Sequence, residues 1–210
     1  MRKVACYVDG FNLYHAIHDL RRPHLKWLNL RSLAESLLYP NERLVAVKYF
    51  SAYATWRPDA YRRHRAYVKA LRHAGVEINL AHFKHKDRKC YRCDYEWTDH
   101  EEKETDVRIA LRMMEDAMDG VFDRAILISG DSDLVPVVET VLRRWPDKRI
   151  LVAVPPGRFR TSRDLCGTAS QRYELRPGRL ETSLLPARIL DENGRVVVER
   201  PPEYAVPEGR

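Results

Sequence analysis

Two short, wholly apolar segments of this chain run directly into aspartate-bearing turns, and this feature strongly restricts the fold. Residues 4–8 precede Asp9, and residues 125–128 precede a turn that carries Asp131 and Asp133. Strands that are apolar at every position are buried on both faces, which is typical of parallel sheets covered by helices. Further strands are predicted at 44–53, 76–83 and 149–154, and helical patterns lie at 11–20, 29–38, 58–74, 105–118 and after the Asp131 turn up to 144. The alternation predicts an α/β fold with a mostly parallel central sheet and helices on both faces.

The length of the chain and the positions of its prolines suggest one domain with a short extension. A chain of 210 residues is most often a single domain. We expect the main domain at residues 1–170, with a polar, cysteine-containing insertion at about 84–100. The periodic pattern weakens beyond that point, and we expect a C-terminal extension at 171–210, with a turn at 191–194 between short apolar runs. The extension contains five prolines that interrupt regular structure: Pro177, Pro186, Pro201, Pro202 and Pro207.

Composition limits the cellular setting that we expect. No apolar run approaches the roughly 18 residues of a membrane span, and the apolar segment at 4–8 is too short for a signal peptide. We therefore expect a cytoplasmic protein without a membrane partner. Four cysteines among 210 residues do not form a disulfide scaffold.

The aspartates that follow the two apolar strands predict a metal site. In a parallel sheet, the carboxyl ends of central strands lie at one edge, where ligands bind. Asp106 occupies the first turn of the helix at 105–118, so Asp9, Asp106, Asp131 and Asp133 converge if that helix begins at the same edge. Grouped carboxylates repel one another unless a cation neutralises them. Oxygen ligands favour Mg²⁺ or Mn²⁺.

A simpler interpretation exists for each acid on its own. Asp131 and Asp133 are suited to cap the helix that follows them, and Asp106 is suited to interact with the dipole of its own helix. Asn12, one turn after the first strand, is either a loop residue or a group that fixes the Asp9 carboxylate or contacts a phosphate. The coincidence of all these positions favours the metal site.

Three motifs in this order resemble NYN domains of the bacterial LabA-like group, which are relatives of PIN-domain nucleases. The motifs are VDGFNL at 8–13, EEKETDV at 101–107 and ISGDSDL at 128–134. The resemblance implies a PIN-like three-layer α/β/α sandwich and a metal-dependent nuclease site. Asp9, Asp106, Asp131 and Asp133 match the acidic metal-binding positions, and Asn12 matches the polar position beside Asp9. Glu104 lies two residues before Asp106 in the second motif. PIN-like domains often form dimers, so a homodimer is compatible with the resemblance.

A phosphatase of the haloacid dehalogenase type is a competing interpretation of the strand that ends at Asp9. Such enzymes carry a second acid two residues after the nucleophile, because covalent catalysis needs a proton donor. Phe11 stands at that position here, so the general acid is missing.

The cysteine pair in the insertion is half of a candidate structural zinc site. Cys90 and Cys93 form a C-x2-C motif, and a tetrahedral zinc site needs four ligands. His85 and His100 are the predicted remaining ligands, with His82 as the other option. The alternative is two free thiols near a turn.

Basic residues indicate an anionic partner. The net charge is +7, and the sequence pI of about 9.3 is typical of nucleic-acid-binding domains. Aromatic residues interleave with basic residues on the helix at 58–74, as expected for stacking on unpaired bases. The predicted RNA-binding residues are Arg62, Arg63, Arg65, Lys69 and Arg72. The alternative is a solvated helix face.

Together these features predict a metal-dependent endoribonuclease that acts on RNA, most readily single-stranded RNA. Asp9, Asp106, Asp131 and Asp133 would hold Mg²⁺ or Mn²⁺, and Asn12 would orient substrate or water. The second hypothesis is a non-catalytic RNA-binding or regulatory adaptor that retains the fold. A third is a phosphatase acting on small phosphate esters.

Overall fold

A computed structural model describes residues 1–207, and of Glu101 the backbone only. Its centre is a seven-stranded sheet with the order β4-β3-β2-β1-β5-β6-β7. The strands are β1 (Arg2–Asp9), β2 (Glu42–Ala52), β3 (Glu77–Lys89), β4 (Glu96–Lys103), β5 (Arg124–Ile128), β6 (Arg149–Val154) and β7 (Gln171–Glu174). All neighbours are parallel except β3 and β4. The predicted mostly parallel sheet is confirmed.

Helices cover both faces of the sheet. They are α1 (Gly10–Asp19), α2 (Leu30–Glu35), α3 (Pro58–His73), α4 (Thr105–Met118), α5 (Val135–Arg144), α6 (Arg163–Thr168) and α7 (Pro177–Glu181). Apolar residues of α1, α2 and α3 pack with Val4, Cys6 and Val8 on one face of β1. Those of α4 and α5 pack with Ala5 and Tyr7 on the other face. The predicted three-layer α/β/α sandwich is therefore confirmed, with two cores separated by the sheet.

The polar insertion expected at about 84–100 forms most of a β-hairpin. Strand β3 pairs with β2 only up to Ala81, and from His82 onward it pairs with β4 in antiparallel register. Most side chains from Lys84 to Asp99 are exposed. Strands that face solvent on both sides carry no alternation of apolar and polar residues, which is why the sequence pattern showed a polar insertion without indicating strands.

Residues after 170 pack against the helix layer that contains α1, α2 and α3. Strand β7 extends the sheet beyond β6. Leu180 and Tyr204 are buried in the same core as α1, and the indole of Trp27 donates a hydrogen bond to the carbonyl of Pro186 at 2.9 Å. The turn at 191–194 joins β8 (Arg188–Leu190) to β9 (Val196–Glu199) as a hairpin.

A buried ion pair crosses the face of the sheet that α4 covers. Lys48 on β2 donates to the carboxylate of Asp116 on α4, and both residues are at most 3% exposed. The hydroxyl of Tyr7 donates to the same carboxylate at 2.6 Å. Such a pair fixes the position of α4 on the sheet, because breaking it leaves a buried charge with only a longer contact, Glu77 at 3.8 Å for Lys48 or Arg112 at 3.6 Å for Asp116.

Within residues 1–207, no helix combines the length and the apolar character needed to cross a bilayer.

Candidate metal centre

Three carboxylates meet at the carboxyl edge of the sheet. Asp9 ends β1, Asp131 follows β5, and Asp106 lies in the first turn of α4. Each offers an oxygen, and these three oxygens lie within 4.8 Å of one another. The strand order explains the meeting, because β1 and β5 are paired neighbours and both run toward this edge. The expectation that α4 begins at the same edge agrees with this geometry.

The Asp9 carboxylate is held by local hydrogen bonds. Its Oδ1 accepts from the backbone N–H of Asn12 at 3.0 Å, and its Oδ2 accepts from the Ser129 hydroxyl at 2.8 Å. Asp9 therefore caps α1 as well as facing the other acids. The side chain is 3% exposed, so its position is fixed by the packing around it.

Asn12 and Ser129 connect the loop after β5 to the end of β1. The Oδ1 of Asn12 accepts from the backbone N–H of Gly130 at 3.0 Å, and the backbone N–H of Asp131 donates to the Ser129 hydroxyl at 3.1 Å. The side chain of Asn12 thus positions this loop, whereas only its backbone contacts Asp9. These bonds fix the spacing between Asp9 and Asp131.

Close packing at this edge requires glycine after Asp9. A Cβ at Gly10 would lie 2.6 Å from the carbonyl oxygen of Phe50 and 2.6 Å from a ring carbon of Tyr49. Any larger residue would push α1 away from β2 and displace Asp9 with it.

Charge repulsion and burial raise the proton affinity of two of the acids. Burial is the main cause that raises the pKa of Asp9 to about 6. Burial, followed by the charges of Asp9 and Asp131, raises the pKa of Asp106 to about 7. The fully ionised cluster is unfavourable by itself, and a divalent cation would relieve the repulsion. Three carboxylate oxygens at this spacing fit a hard cation such as Mg²⁺ or Mn²⁺.

Glu102 is a neighbour of the cluster that the sequence analysis did not single out. Its negative charge raises the pKa of both Asp9 and Asp106. Glu104, which the motif placed near the site, instead pairs with Arg108 at 3.0 Å and lies 3.7 Å from His82. The pairing of β3 with β4 places Glu102 opposite Phe83. This register, and not the order of residues in the motif, determines that Glu102 rather than Glu104 lies near the cluster.

Asp133 lies outside the group of three. It is exposed, and its backbone N–H donates to the Oδ1 of Asp131 at 3.0 Å. Its charge contributes to the raised pKa of Asp106, but less than the charges of Asp9, Asp131 and Glu102 do. Asp133 therefore acts on the cluster at longer range than the other predicted acids.

The four predicted zinc ligands do not lie together in the described part of the chain. His85 and His100 face each other across the hairpin, whereas Cys90 and Cys93 lie in the turn at its tip. Cys90 is five residues beyond His85 along an extended strand, a separation of about 16 Å. The His100 ring is instead stacked on Trp56, with ring centroids 3.8 Å apart. In the part of the chain that is described, the ligand-type side chains that converge are the three aspartates.

The C-terminal segment covers part of the basic face of α3. The carboxylate of Glu203 pairs with Arg62 at 2.9 Å and with Arg63 at 3.2 Å. Lys69 donates to the carbonyl of Val197 on β9 at 2.7 Å. The two remaining predicted RNA-binding residues, Arg65 and Arg72, are exposed.

A cavity of about 480 Å³ lies beside the acids, between α1 and α3. Gly10 and Phe11, directly after Asp9, line it, and Glu102 lines it from the hairpin. The sequence analysis did not predict this cavity, because its walls come from segments far apart in the chain.

Comparison with known proteins identifies the family. The model of the NYN domain matches residues 3–175. A 6-hydroxy-3-succinoylpyridine 3-monooxygenase of Pseudomonas putida is 29% identical over 218 aligned residues, covering 86% of this chain and 69% of that protein. A solved protein of unknown function from Vibrio parahaemolyticus has a TM-score of 0.59 and 25% identity, covering 88% of this chain and 96% of that one. The chain belongs to the NYN domain family, within the PIN-like nuclease superfamily.

Proposed function

We propose that the protein is a metal-dependent endoribonuclease that hydrolyses phosphodiester bonds of RNA at the three-carboxylate site. The observation that carries this proposal is the convergence of Asp9, Asp106 and Asp131 within 4.8 Å at an edge of the sheet. Membership of the NYN family supports nuclease chemistry in general terms. The net charge of +7 supports a polyanionic substrate.

The three aspartates would hold Mg²⁺ or Mn²⁺ through their carboxylate oxygens. When bound, the cation activates water and stabilises the charge that develops on the phosphate. Asn12 and Ser129 keep Asp9 and Asp131 at a fixed separation, so the ligand oxygens are organised before substrate arrives. Glu102 and Asp133 add negative charge near the cluster and strengthen its attraction for a cation.

The substrate would lie across the carboxyl edge of the sheet, with basic side chains contacting its phosphates. Arg65 and Arg72 are exposed for such contacts. Arg62, Arg63 and Lys69 would contribute only after exchanging their present partners in the C-terminal segment.

The test is cleavage of an end-labelled single-stranded RNA in Mn²⁺, in Mg²⁺ and in EDTA, by the wild type and by Asp131→Asn. Cleavage that requires both the metal and Asp131 supports the proposal. Asp147→Asn is the matched control, because Asp147 is exposed between α5 and β6, at the opposite edge of the sheet. RNA binding without cleavage under every condition would contradict the proposal and favour the non-catalytic adaptor.

A second candidate is hydroxylation of a hydroxypyridine, and the cavity beside the acids is the observation that favours it. The name of the Pseudomonas putida relative describes such a reaction. A monooxygenase takes one oxygen atom from O₂ and two electrons from a reduced cofactor. Oxygen consumption with a reduced nicotinamide or flavin and a hydroxypyridine, in the absence of RNA, separates this candidate from the nuclease.

A further inference from the structure

The cavity beside the acidic cluster has walls built largely from aromatic rings. Trp56 stacks on His100 with ring centroids 3.8 Å apart, and Phe83 meets Trp56 edge to face at 4.6 Å. Phe11 meets Phe83 edge to face at 5.6 Å, which joins α1 to the hairpin. Tyr49, Tyr67 and Tyr204 line the cavity from other elements. Surfaces of this kind bind flat rings by stacking and edge contacts.

A few polar groups lie among these rings. The hydroxyl of Tyr49 and the Nε2 of His64 are hydrogen-bonded at 3.1 Å, and burial lowers the pKa of His64 to about 4. His64 is therefore neutral at physiological pH and offers one donor and one acceptor. Ser51 is 2% exposed and also lines the cavity. A small number of polar groups in an apolar cavity is typical of a site that orients a heteroaromatic ligand.

The rim of the cavity carries both signs of charge. Lys26, Arg57 and Arg63 line it, and Lys26 lies over the ring of Tyr14, 4.2 Å from its centroid. Glu102 lines the side nearest the aspartates and acts electrostatically on Asp9. A ligand with a flat ring and an attached phosphate would place the ring inside and the phosphate near the rim or the acids.

We propose that this cavity is a nucleobase subsite, in which one unpaired base of the RNA inserts while a neighbouring phosphate lies at the three-carboxylate site. This inference rests on the proposed nuclease function and names its substrate class as RNA with an extrudable base. A volume of about 480 Å³ is within the range of roughly 300–1,000 Å³ that small-ligand sites occupy. A base in a continuous duplex is stacked and paired, so duplex RNA is a poor substrate.

The C-terminal segment is part of this subsite. Tyr204 contributes to the wall, and Glu203 beside it holds Arg62 and Arg63 on α3. The segment therefore shapes the cavity as well as covering the basic face. It also pairs Arg63, a cation of the rim, with Glu203, so Arg63 would contact a ligand only after exchanging this partner.

The first test measures binding without turnover. Nucleoside 5′-monophosphates are titrated in EDTA by calorimetry, with ribose 5-phosphate as the ligand that lacks a base. Ala60→Leu places a larger side chain in the cavity from α3, where leucine suits the helix. We expect nucleotides to bind, ribose 5-phosphate not to bind, and Ala60→Leu to weaken nucleotide binding about 10-fold or more.

The controls separate a filled cavity from a damaged fold. Ala187→Leu changes an exposed alanine outside the cavity and should bind as the wild type does. Trp56→Ala removes one stacking ring and should also weaken binding, while both cavity variants keep the melting temperature of the wild type within a few degrees. Equal binding of ribose 5-phosphate and nucleotides overturns the proposal, and so does tighter binding of a free hydroxypyridine than of any nucleotide.

The second test uses cleavage and distinguishes this inference from the proposed function. A single-stranded RNA with one abasic position beside the cleaved bond should be cleaved about 10-fold or more slowly than the intact RNA. Metal-dependent cleavage that neither Ala60→Leu nor the abasic position changes overturns the subsite and leaves the nuclease standing. Nucleotide binding that Ala60→Leu abolishes, together with no cleavage, contradicts the nuclease and leaves the nucleobase subsite standing.

Discussion

Replacing Asp9 by asparagine should stabilise the metal-free protein at alkaline pH. The folded protein holds this carboxyl with a pKa of about 6, against 3.8 for a free aspartate side chain, chiefly because it is buried. A group with a raised folded pKa binds its proton more tightly in the folded state. The free energy of unfolding therefore falls as pH rises from about 4 to about 6 and stays lowered above that range.

The size of the effect follows from the shift. About two pH units correspond to up to about 3 kcal/mol of unfolding free energy at pH 8. Asparagine carries no charge and keeps an oxygen that can accept from the Asn12 N–H, so the variant retains the cap of α1. For a chain of this length, about 3 kcal/mol raises the melting temperature by about 6–12 °C.

Thermal denaturation in EDTA at pH 5 and at pH 8 measures this difference. We expect Asp9→Asn to melt above the wild type at pH 8 and by about half as much above it at pH 5, because pH 5 lies midway between the unfolded and the folded pKa of Asp9. Millimolar Mg²⁺ or Mn²⁺ at pH 8 should stabilise the wild type and have a smaller effect on the variant. The reasoning is refuted if the variant melts at or below the wild type at pH 8, or if their difference is the same at both pH values.

Two further predictions concern the interior and the basic face. Asp116→Ala leaves the buried Lys48 ammonium with only the more distant, half-exposed carboxylate of Glu77 at 3.8 Å. It should cost about 3–5 kcal/mol in urea denaturation, much of which the double variant with Lys48→Met should recover. A loss below about 1 kcal/mol would show that the pair is unimportant. Glu203→Gln removes the carboxylate that engages Arg62 and Arg63, so it should strengthen RNA binding at low salt. A plot of log affinity against log salt should also become steeper by about one unit, and an unchanged slope would exclude these arginines from the RNA contact.

The sequence predicted the parts of the fold whose pattern is local. The apolar run before Asp9 and the run at 125–128 indicated buried central strands that end at the same edge, and the structure pairs them in parallel as neighbours. Helix α4 and strand β6 have the predicted bounds of 105–118 and 149–154. Because β1, β5 and α4 place their aspartates at the carboxyl edge of the sheet, the convergence of Asp9, Asp106 and Asp131 could be predicted from the sequence.

The remaining features depend on contacts between distant segments. Glu102 lies in the segment EEKE at 101–104, which offers several glutamates. Only the register of β4 against β3 shows which of these carboxylates faces the cluster. The contact between Glu203 and Arg62 joins positions 141 residues apart. Periodicity and spacing do not report such pairings, and the aromatic cavity escaped prediction for the same reason. The spacing of the predicted zinc ligands along the chain likewise did not reveal that the cysteines lie at the tip of an extended hairpin.

Direct titration with Mn²⁺ tests the central claim, that the three aspartates form a divalent metal site. The amount of free Mn²⁺ is followed by electron paramagnetic resonance at pH 7.5 for the wild type, Asp131→Asn and the control Asp147→Asn. The account predicts saturable binding by the wild type and the control, and weakening of about 10-fold or more in Asp131→Asn, as one of three carboxylate ligands is lost. Equal binding by all three proteins, or no saturable binding by the wild type at millimolar Mn²⁺, would contradict it.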